Sequence, residues 1–525
     1  MGAIETARTT GEPGAKGVGW GWTPTWLRAA LTHHRRFALA RWVAVASLVG
    51  CTAPLTVDRA DDVLEASDCI DGVPNDCSLR GAIFAANQRP GPDEIVLPGL
   101  GPTGPGEPFR SNEYALTLSG PDEDAARIGD LDITDALEIE GAPFVDPATG
   151  QSFRPVIGYR EGLVDRLVHV DPNGSGIAVS IRHVELRGGS ASSAQGLRNG
   201  GGIANTGGDL TLDDVRFTVD LEWTYGVAGG AIFNSGALRV TNSSISQGNA
   251  IYGGGIANGD PDTGAPGATV VIEDSEIANN EASHRDEVGL GGGLFNAAGG
   301  TMVLRRSNVH DNWAPSDIFT ESAGAGIANQ GNLVVEDSTI HSNSGAVFLR
   351  SITSPCGFGH GLTNWGSAAL TNVTLSDNAG DCAPGLPLYF DSVFNLGSLI
   401  LQNVTIAESS PAPVVTNALG TIEAVNTVIV GSCFGNGFAS AGGNLESPGA
   451  TCDLDQPSDQ SGVASPLLLA LAPNGGPTPT HALAKGSPAI DAGLAAGCPT
   501  TDQRGAPRTD GHCDAGAFER QAGDP

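Results

Sequence analysis

Apolar residues through the middle of the chain recur in pairs seven residues apart: Leu210 and Phe217, Leu238 and Ile245, Val270 and Ile277, Met302 and Val309, Leu333 and Ile340, Ala368 and Leu375, Leu399 and Ile406, Ile422 and Ile429. Two residues after the first member stands another small or apolar residue, as at Leu212, Val240, Ile272, Leu304, Val335, Leu370, Leu401 and Ala424. Alternation of period two predicts a short strand with one face buried. Four residues after the first member stands Asp or Asn in every copy but one, where it is Arg306. Asx residues bond their own backbone and tolerate the left-handed region, so this position predicts a turn into a second short strand. A less regular copy runs through Val179, Ile181 and Leu186, with His183 in the turn position.

Each copy opens on a glycine-rich head that ends in asparagine: Asn205, Asn234, Asn258, Asn296, Asn329, Asn364 and Asn395, with a weaker head at Asn417. Successive heads lie 22 to 38 residues apart, the signature of stacked repeats. One strand–turn–strand unit cannot bury its own apolar side. Stacking such units about 4.8 Å apart gives a shared core and a ladder of backbone hydrogen bonds. The expected fold is therefore all-β, a parallel β-helix, and nine or ten turns would make a rod roughly 45 Å long. The head asparagines would then stack, their amides bonding up and down the rod.

Bulk properties narrow the function. The chain holds 75 glycines without a collagen period, and its net charge is −32. A balance so acidic argues against nucleic acid or an anionic membrane surface as partner. It suits a soluble exported protein, and a monomer is expected. Residues 34–51 place a basic stretch before a short apolar core, an export leader too short to span a bilayer. The stretch before it is long for a leader, so translation is expected to begin downstream of Met1. Apart from Cys51, eight cysteines fall into sequential couples: Cys69 with Cys77, Cys356 with Cys382, Cys433 with Cys452, Cys498 with Cys513. An even count in an exported chain favours disulfides, although spacing alone leaves the pairing open. No CxxC and no suitably spaced histidine points to a metal. No metal or cofactor is expected, calcium being the one possible addition.

Local motifs add family resemblances. Leu48-Val49-Gly50-Cys51 resembles a bacterial lipobox, which implies lipidation of Cys51, and Thr52 after it implies outer-membrane sorting. Asp76-Cys77-Ser78-Leu79-Arg80, Ala82-Ile83, Ala85-Ala86-Asn87 and Asp93 to Pro98 resemble the CSLREA domain, with Gly81 where that family has glutamate. The domain precedes right-handed β-helix repeats in bacterial surface proteins, so a right-handed coil is implied. Read physically, Leu79 to Asn87 is one short helix and Glu94 to Leu97 a buried strand, a small α/β cap on the open end. Ser487 to Gly493, Asp502 to Gly505 and Cys513 to Glu519 resemble the choice-of-anchor Q region of β-helix surface proteins. Their Asp, Arg and Glu are expected to form a salt-bridged cap over the last turn. The expected organisation is a leader at 1–50, an N-terminal cap at 51–110, the coil at 111–430 and a C-terminal cap at 431–525.

Chemistry is harder to find. Gly359-His360-Gly361 imitates a polygalacturonase motif, but its companion motifs are missing and it is also a repeat head with His in a variable position. Arg305-Arg306 could supply a lyase base, though nothing in the pattern pairs with them. His310 and His341 fall on outward positions and read as solvated. Insertions at Gly259 to Pro266, Ala282 to Val288, Trp313 to Ser322 and Val347 to Gly357, with Trp223, Tyr225, Tyr252, Trp313 and Trp365 near such edges, would suit contact with surface glycans. The function expected is a non-catalytic, surface-anchored adhesion or envelope-structural protein. The alternative is a polysaccharide lyase or glycoside hydrolase acting on acidic polysaccharide.

Overall fold

The structure is a computed structural model. It describes residues 53–524 except 71–72, 101–112, 119–123, 160–164, 191–198, 220–226, 262–267, 284–288, 316–322, 346–357, 379–390, 409–412 and 509–510. Each turn of the coil has three strands, illustrated by Ile327–Asn329, Asn332–Glu336 and Thr339–His341. The next turn repeats them at Leu362–Asn364, Ser367–Thr371 and Thr374–Ser376. Pairing between turns is parallel and in register, Ile327 on Leu362, Leu333 on Ala368, Ile340 on Leu375. Three parallel sheets result, here called head, middle and third, and the middle sheet has 13 strands among the described residues. The protein is a parallel β-helix.

The head strand is an addition to the strand–turn–strand unit expected. Its three residues point in, out and in, as with buried Ile327, Ala328 and Asn329. A segment of three residues with an alanine in its outward position carries no visible alternation. Inward residues of all three sheets, such as Ile327, Leu333, Val335 and Ile340, merge into one hydrophobic core along the coil.

The turn between middle and third strands has the left-handed backbone expected, φ being 51° at Asp337, 52° at Asn372 and 51° at Asn403. Arg306 adopts φ 47° there as well. A long side chain gains nothing locally from that conformation. Arg306 is instead held by two hydrogen bonds, 2.8 and 2.7 Å, to the Asp274 carboxylate one turn earlier. The head glycines are needed for close approach. A Cβ on Gly254 would lie 2.2 Å from the Glu281 carbonyl oxygen of the neighbouring turn.

The N-terminal segment joins the coil. A helix spans Leu79–Asn87, its first turn capped by Ser78, whose hydroxyl accepts from Gly81 N. Ala82, Ile83 and Ala86 pack into the main core. The strand Asp93–Pro98 extends the middle sheet by pairing with Leu137–Ala142, and Leu55–Thr56 pairs in turn with Asp93–Pro98. Gly81 is sterically required, since a Cβ would sit 1.8 Å from Ala66 O, and no glutamate fits.

The other end differs from a simple cap. Coil strands continue through Val428–Gly435, Phe438–Gly442 and Leu445–Pro448, past residue 430. Beyond them the chain turns back along the outer side of the third sheet. Thr339 Oγ1 donates to Pro479 O (2.6 Å), Thr374 Oγ1 to Gln503 Oε1 (2.6 Å), and Thr405 Oγ1 accepts from Ala517 N (2.9 Å). The segment is a strap beside several turns rather than a lid on the last. The physical reason lies in one column of the third sheet, where Glu276 and Asn308 give way to buried Thr339, Thr374 and Thr405. Ion pairs do hold the strap: Arg508 to Glu519 at 2.5 Å and Arg504 to Asp502 at 2.9 Å, with Arg504 3.6 Å above the Phe518 ring.

Disulfides join Cys69 to Cys77, Cys433 to Cys452 and Cys498 to Cys513. Cys51, Cys356 and Cys382 lie outside the described residues.

Candidate functional site

The head asparagines form a continuous amide chain. Nδ2 donates to the next Oδ1 at 2.8 Å from Asn205 to Asn234, 2.9 Å to Asn258, 2.8 Å to Asn296, 2.7 Å to Asn329, 2.7 Å to Asn364, 2.8 Å to Asn395 and 2.8 Å to Asn417. All are buried, and each Nδ2 also reaches backbone carbonyls at the corner. A second ladder escaped the sequence reading. Asn280, Asn312, Asn343 and Asn378 chain together at 3.0, 2.9 and 2.9 Å. Its signal was present, since each stands three residues after an inward apolar residue (Ile277, Val309, Ile340, Leu375). A third runs through backbone N–H and hydroxyl oxygen, Ser243 to Ser275, Ser307 and Ser338, at 3.1, 3.2 and 3.1 Å. These columns satisfy buried polar groups and leave nothing for a ligand to take.

On the outward face of the middle sheet a strip of alternating charge runs across turns. Arg239 meets Glu273 at 2.5 Å, and Arg305 meets Glu273 at 3.4 Å and Glu336 at 2.6 Å. The expectation that nothing pairs with Arg305 and Arg306 is thus overturned; stacking supplies partners from turns above and below. The hydrogen bond that Arg306 donates to Asp274 raises the Arg306 pKa, the wrong direction for a base. His310 and His341 are not solvated either. Their rings stack 4.9 Å apart at 2°, and His310 hydrogen-bonds Glu276 and Asp311 at 2.7 Å each. Burial, then the neighbouring His310, lowers the His341 pKa to about 4. His360 is fully buried, and that burial lowers its pKa to about 4.

Tyr252 packs on Phe295 at 5.2 Å and Trp365 is partly exposed. Trp223 and Tyr225 lie outside the described residues, as do the centres of the four insertions. Connectivity still locates their ends. Segments 191–198, 220–226, 284–288, 316–322, 346–357 and 379–390 each fall between a third-sheet strand and the next head strand, whereas 262–267 falls between the head strand Ile256–Asn258 and the middle strand Thr269–Glu273.

Two buried carboxyls stand near the C-terminal turns. Burial pushes Asp391 up to about 7 and Glu408 up to about 8, the charge of Asp377 adding to the second. A carboxyl raised in the folded state contributes stability at acid pH that is lost as pH rises through its folded pKa. Glu408→Gln should therefore match the parent near pH 5 and exceed it by up to a few kcal/mol near pH 9, read from thermal melts at both values. A parent no weaker at the higher pH would contradict this.

At the opposite end the coil brings together groups that no spacing in the chain announces. Asp132 and His169, on adjacent head strands Leu131–Ile133 and Val168–Val170, are direct cross-strand partners. With Asp124 they place ligand atoms within 4.8 Å of one another. Behind them Asp130 binds Arg166 Nε at 2.8 Å, and burial pushes its carboxyl up to about 7.

No family model and no curated protein matches the sequence. Among solved structures, the crystal structure of pectate lyase Pel9A is similar over 90% of this chain and 98% of that one, at 12% identity and a TM-score of 0.38. The class, a parallel β-helix, stands on the strand pairing itself.

Proposed function

We propose that this is an exported β-helix protein anchored at the cell surface, with a non-catalytic adhesive or envelope-structural role. The observation that carries the reading is the division of the molecule into a saturated scaffold and inserted segments, most of which leave it at one corner. Buried ladders brace the coil, and most of its inserts issue between third and head strands, the one at 262–267 between a head and a middle strand. Binding segments on a rigid scaffold are the usual design of such surfaces. Three disulfides support an oxidising location. Lipidated Cys51 would tether the chain to the outer membrane, and surface glycans are the partners that suit the inserts. Catalysis on acidic polysaccharide is the competing reading. Paired Arg305 and Arg306 and buried His360 weigh against it at those positions.

The test has two arms. Mass spectrometry of the mature protein should find an acylated N-terminal Cys51; cleavage elsewhere or an unmodified thiol removes the anchor. Incubation with a panel of acidic polysaccharides, with and without calcium, should yield retention on the glycan without new reducing ends or unsaturated products. Turnover abolished by one carboxylate substitution would replace the reading with the enzymatic one.

A further inference from the structure

The residues that follow the head asparagines form a column along the corner between head and middle strands, each N–H bonding a carbonyl of the turn before. Through most of the coil this column is small or polar, as at Thr206, Ser235, Ala297 and Gln330. In the last turns it becomes Trp365 and Leu396. The corner after Asn417 is then one residue longer than the corner after Asn395, and it carries Leu419 at 84% exposure. Phe394 and Phe434 extend the strip onto the outward face of the head sheet, Phe434 being 60% exposed. Stacking does not require these side chains, since earlier turns fold with threonine, serine and glutamine in the same column. Large apolar groups shown to water without a folding reason mark a contact surface.

The surroundings define what the strip can contact. Ser367 and Ser398 stand two residues beyond Trp365 and Leu396, and Thr421 stands two beyond Leu419; the three are exposed and in register. A column of hydroxyls therefore runs beside the apolar strip at the same step of about 4.8 Å. Charge is scarce here. Earlier turns carry Glu273, Arg305 and Glu336 on the outward face of the middle sheet. In Ser367–Thr371, Ser398–Gln402 and Thr421–Val425 the one ionisable residue is Glu423, and the head strands beside them have none. In a chain of net charge −32, such a face is complementary to an uncharged partner. The buried ladder holds the corner from within: Asn364, Asn395 and Asn417 donate to Gly366 O, Gly397 O and Gly420 O at 3.3, 3.1 and 3.0 Å. A strip fixed in this way loses little conformational entropy on binding.

We infer that this corner binds a linear, uncharged polysaccharide lying along the coil. Sugar rings present apolar C–H faces edged by hydroxyls. Trp365, Leu396 and Leu419 take the faces, while Ser367, Ser398 and Thr421 exchange hydrogen bonds with the hydroxyls. A lipid surface would desolvate the hydroxyl column without giving it partners. A second copy of the chain is disfavoured by area: a few side chains on a convex corner fall short of the roughly 800 Å² per partner that a stable interface buries. The site rests on the adhesive reading above and gives it a ligand class.

Full-length protein would be run in native gels that contain, one at a time, a soluble glucan, a mannan, a galactomannan or polygalacturonate. At least one neutral polymer should retard it, and polygalacturonate should not. Trp365→Ala should weaken retardation at least about tenfold, and Ser398→Ala about threefold. Leu419→Ser, at an exposed position, should weaken it with an unchanged melting temperature, so that misfolding cannot imitate the loss. Retardation that survives all three variants, or that polygalacturonate matches, overturns this site and leaves the adhesive reading to the inserts. No retardation by any neutral polymer overturns both the site and the glycan part of that reading. Capture on phosphatidylcholine vesicles, or dimers in light scattering that Leu419→Ser abolishes, would assign the strip to lipid or to a second copy instead.

Discussion

Asn329→Ala is expected to destabilise the coil by about 3–6 kcal/mol, far more than a typical surface substitution. Asn329 is fully buried, and its Nδ2 donates to Gly331 O at 3.1 Å, Asn364 Oδ1 at 2.7 Å and Ser367 O at 3.2 Å. Its Oδ1 accepts from Asn296 Nδ2 at 2.7 Å. Alanine removes a donor from three buried acceptors, of which Gly331 O keeps a bond from Ser367 N at 2.9 Å, and a buried acceptor left unsatisfied costs about 1–3 kcal/mol. A stacked repeat couples mainly to its neighbours, so the damage should be local. Hydrogen exchange should accelerate in the turns that contain Asn296 and Asn364 while the helix Leu79–Asn87 keeps its protection. Denaturation shifted by less than about 1 kcal/mol would reduce the ladder to a passive consequence of stacking.

Arg508→Met should release the C-terminal strap while the coil stays folded. The Arg508 and Glu519 side chains are almost wholly buried, paired at 2.5 Å, and Arg508 also donates to Asp514 O and Gly516 O at 3.1 and 3.0 Å. Removing one member of a buried pair leaves the other charge uncompensated, at a cost of about 3–5 kcal/mol. Burial already pushes Glu519 up to about 7 even with its partner present. The defect should therefore ease as pH falls, because the neutral carboxyl tolerates burial, and Arg508→Met with Glu519→Gln should recover part of the loss at neutral pH. Limited proteolysis is the direct readout: new cuts beyond residue 448 with the coil intact. Uniform unfolding in place of strap release would mean that the strap and coil form one cooperative unit.

Repeats make much of a fold legible, and the limits of that legibility are specific. Alternation around Leu333, Val335 and Ile340 marks middle and third strands because an inward apolar residue every second position is forced by the pleat. The head strand stayed hidden because three residues hold too little alternation to register. The ladder at Asn280, Asn312, Asn343 and Asn378 was visible as spacing but passed over, for its neighbours Asn279 and Asp311 blur the column. The partners of Arg305 and Arg306 were invisible for another reason. They sit a full turn away, 31 or 32 residues along a chain whose turn length varies.

Local chemistry written in the chain was enough for the parallel coil, its inward residues, its left-handed Asx turns and the asparagine column, because each depends on a residue and its near neighbours. Where the segment beyond Pro448 lies, which charges neutralise one another, and the meeting of Asp132 with His169 were settled by packing. Those features join positions from different turns, and the length of the segments between turns follows no rule that a linear reading can apply. The coil converts those irregular distances into a constant step between strands, and only at that step do the side chains meet.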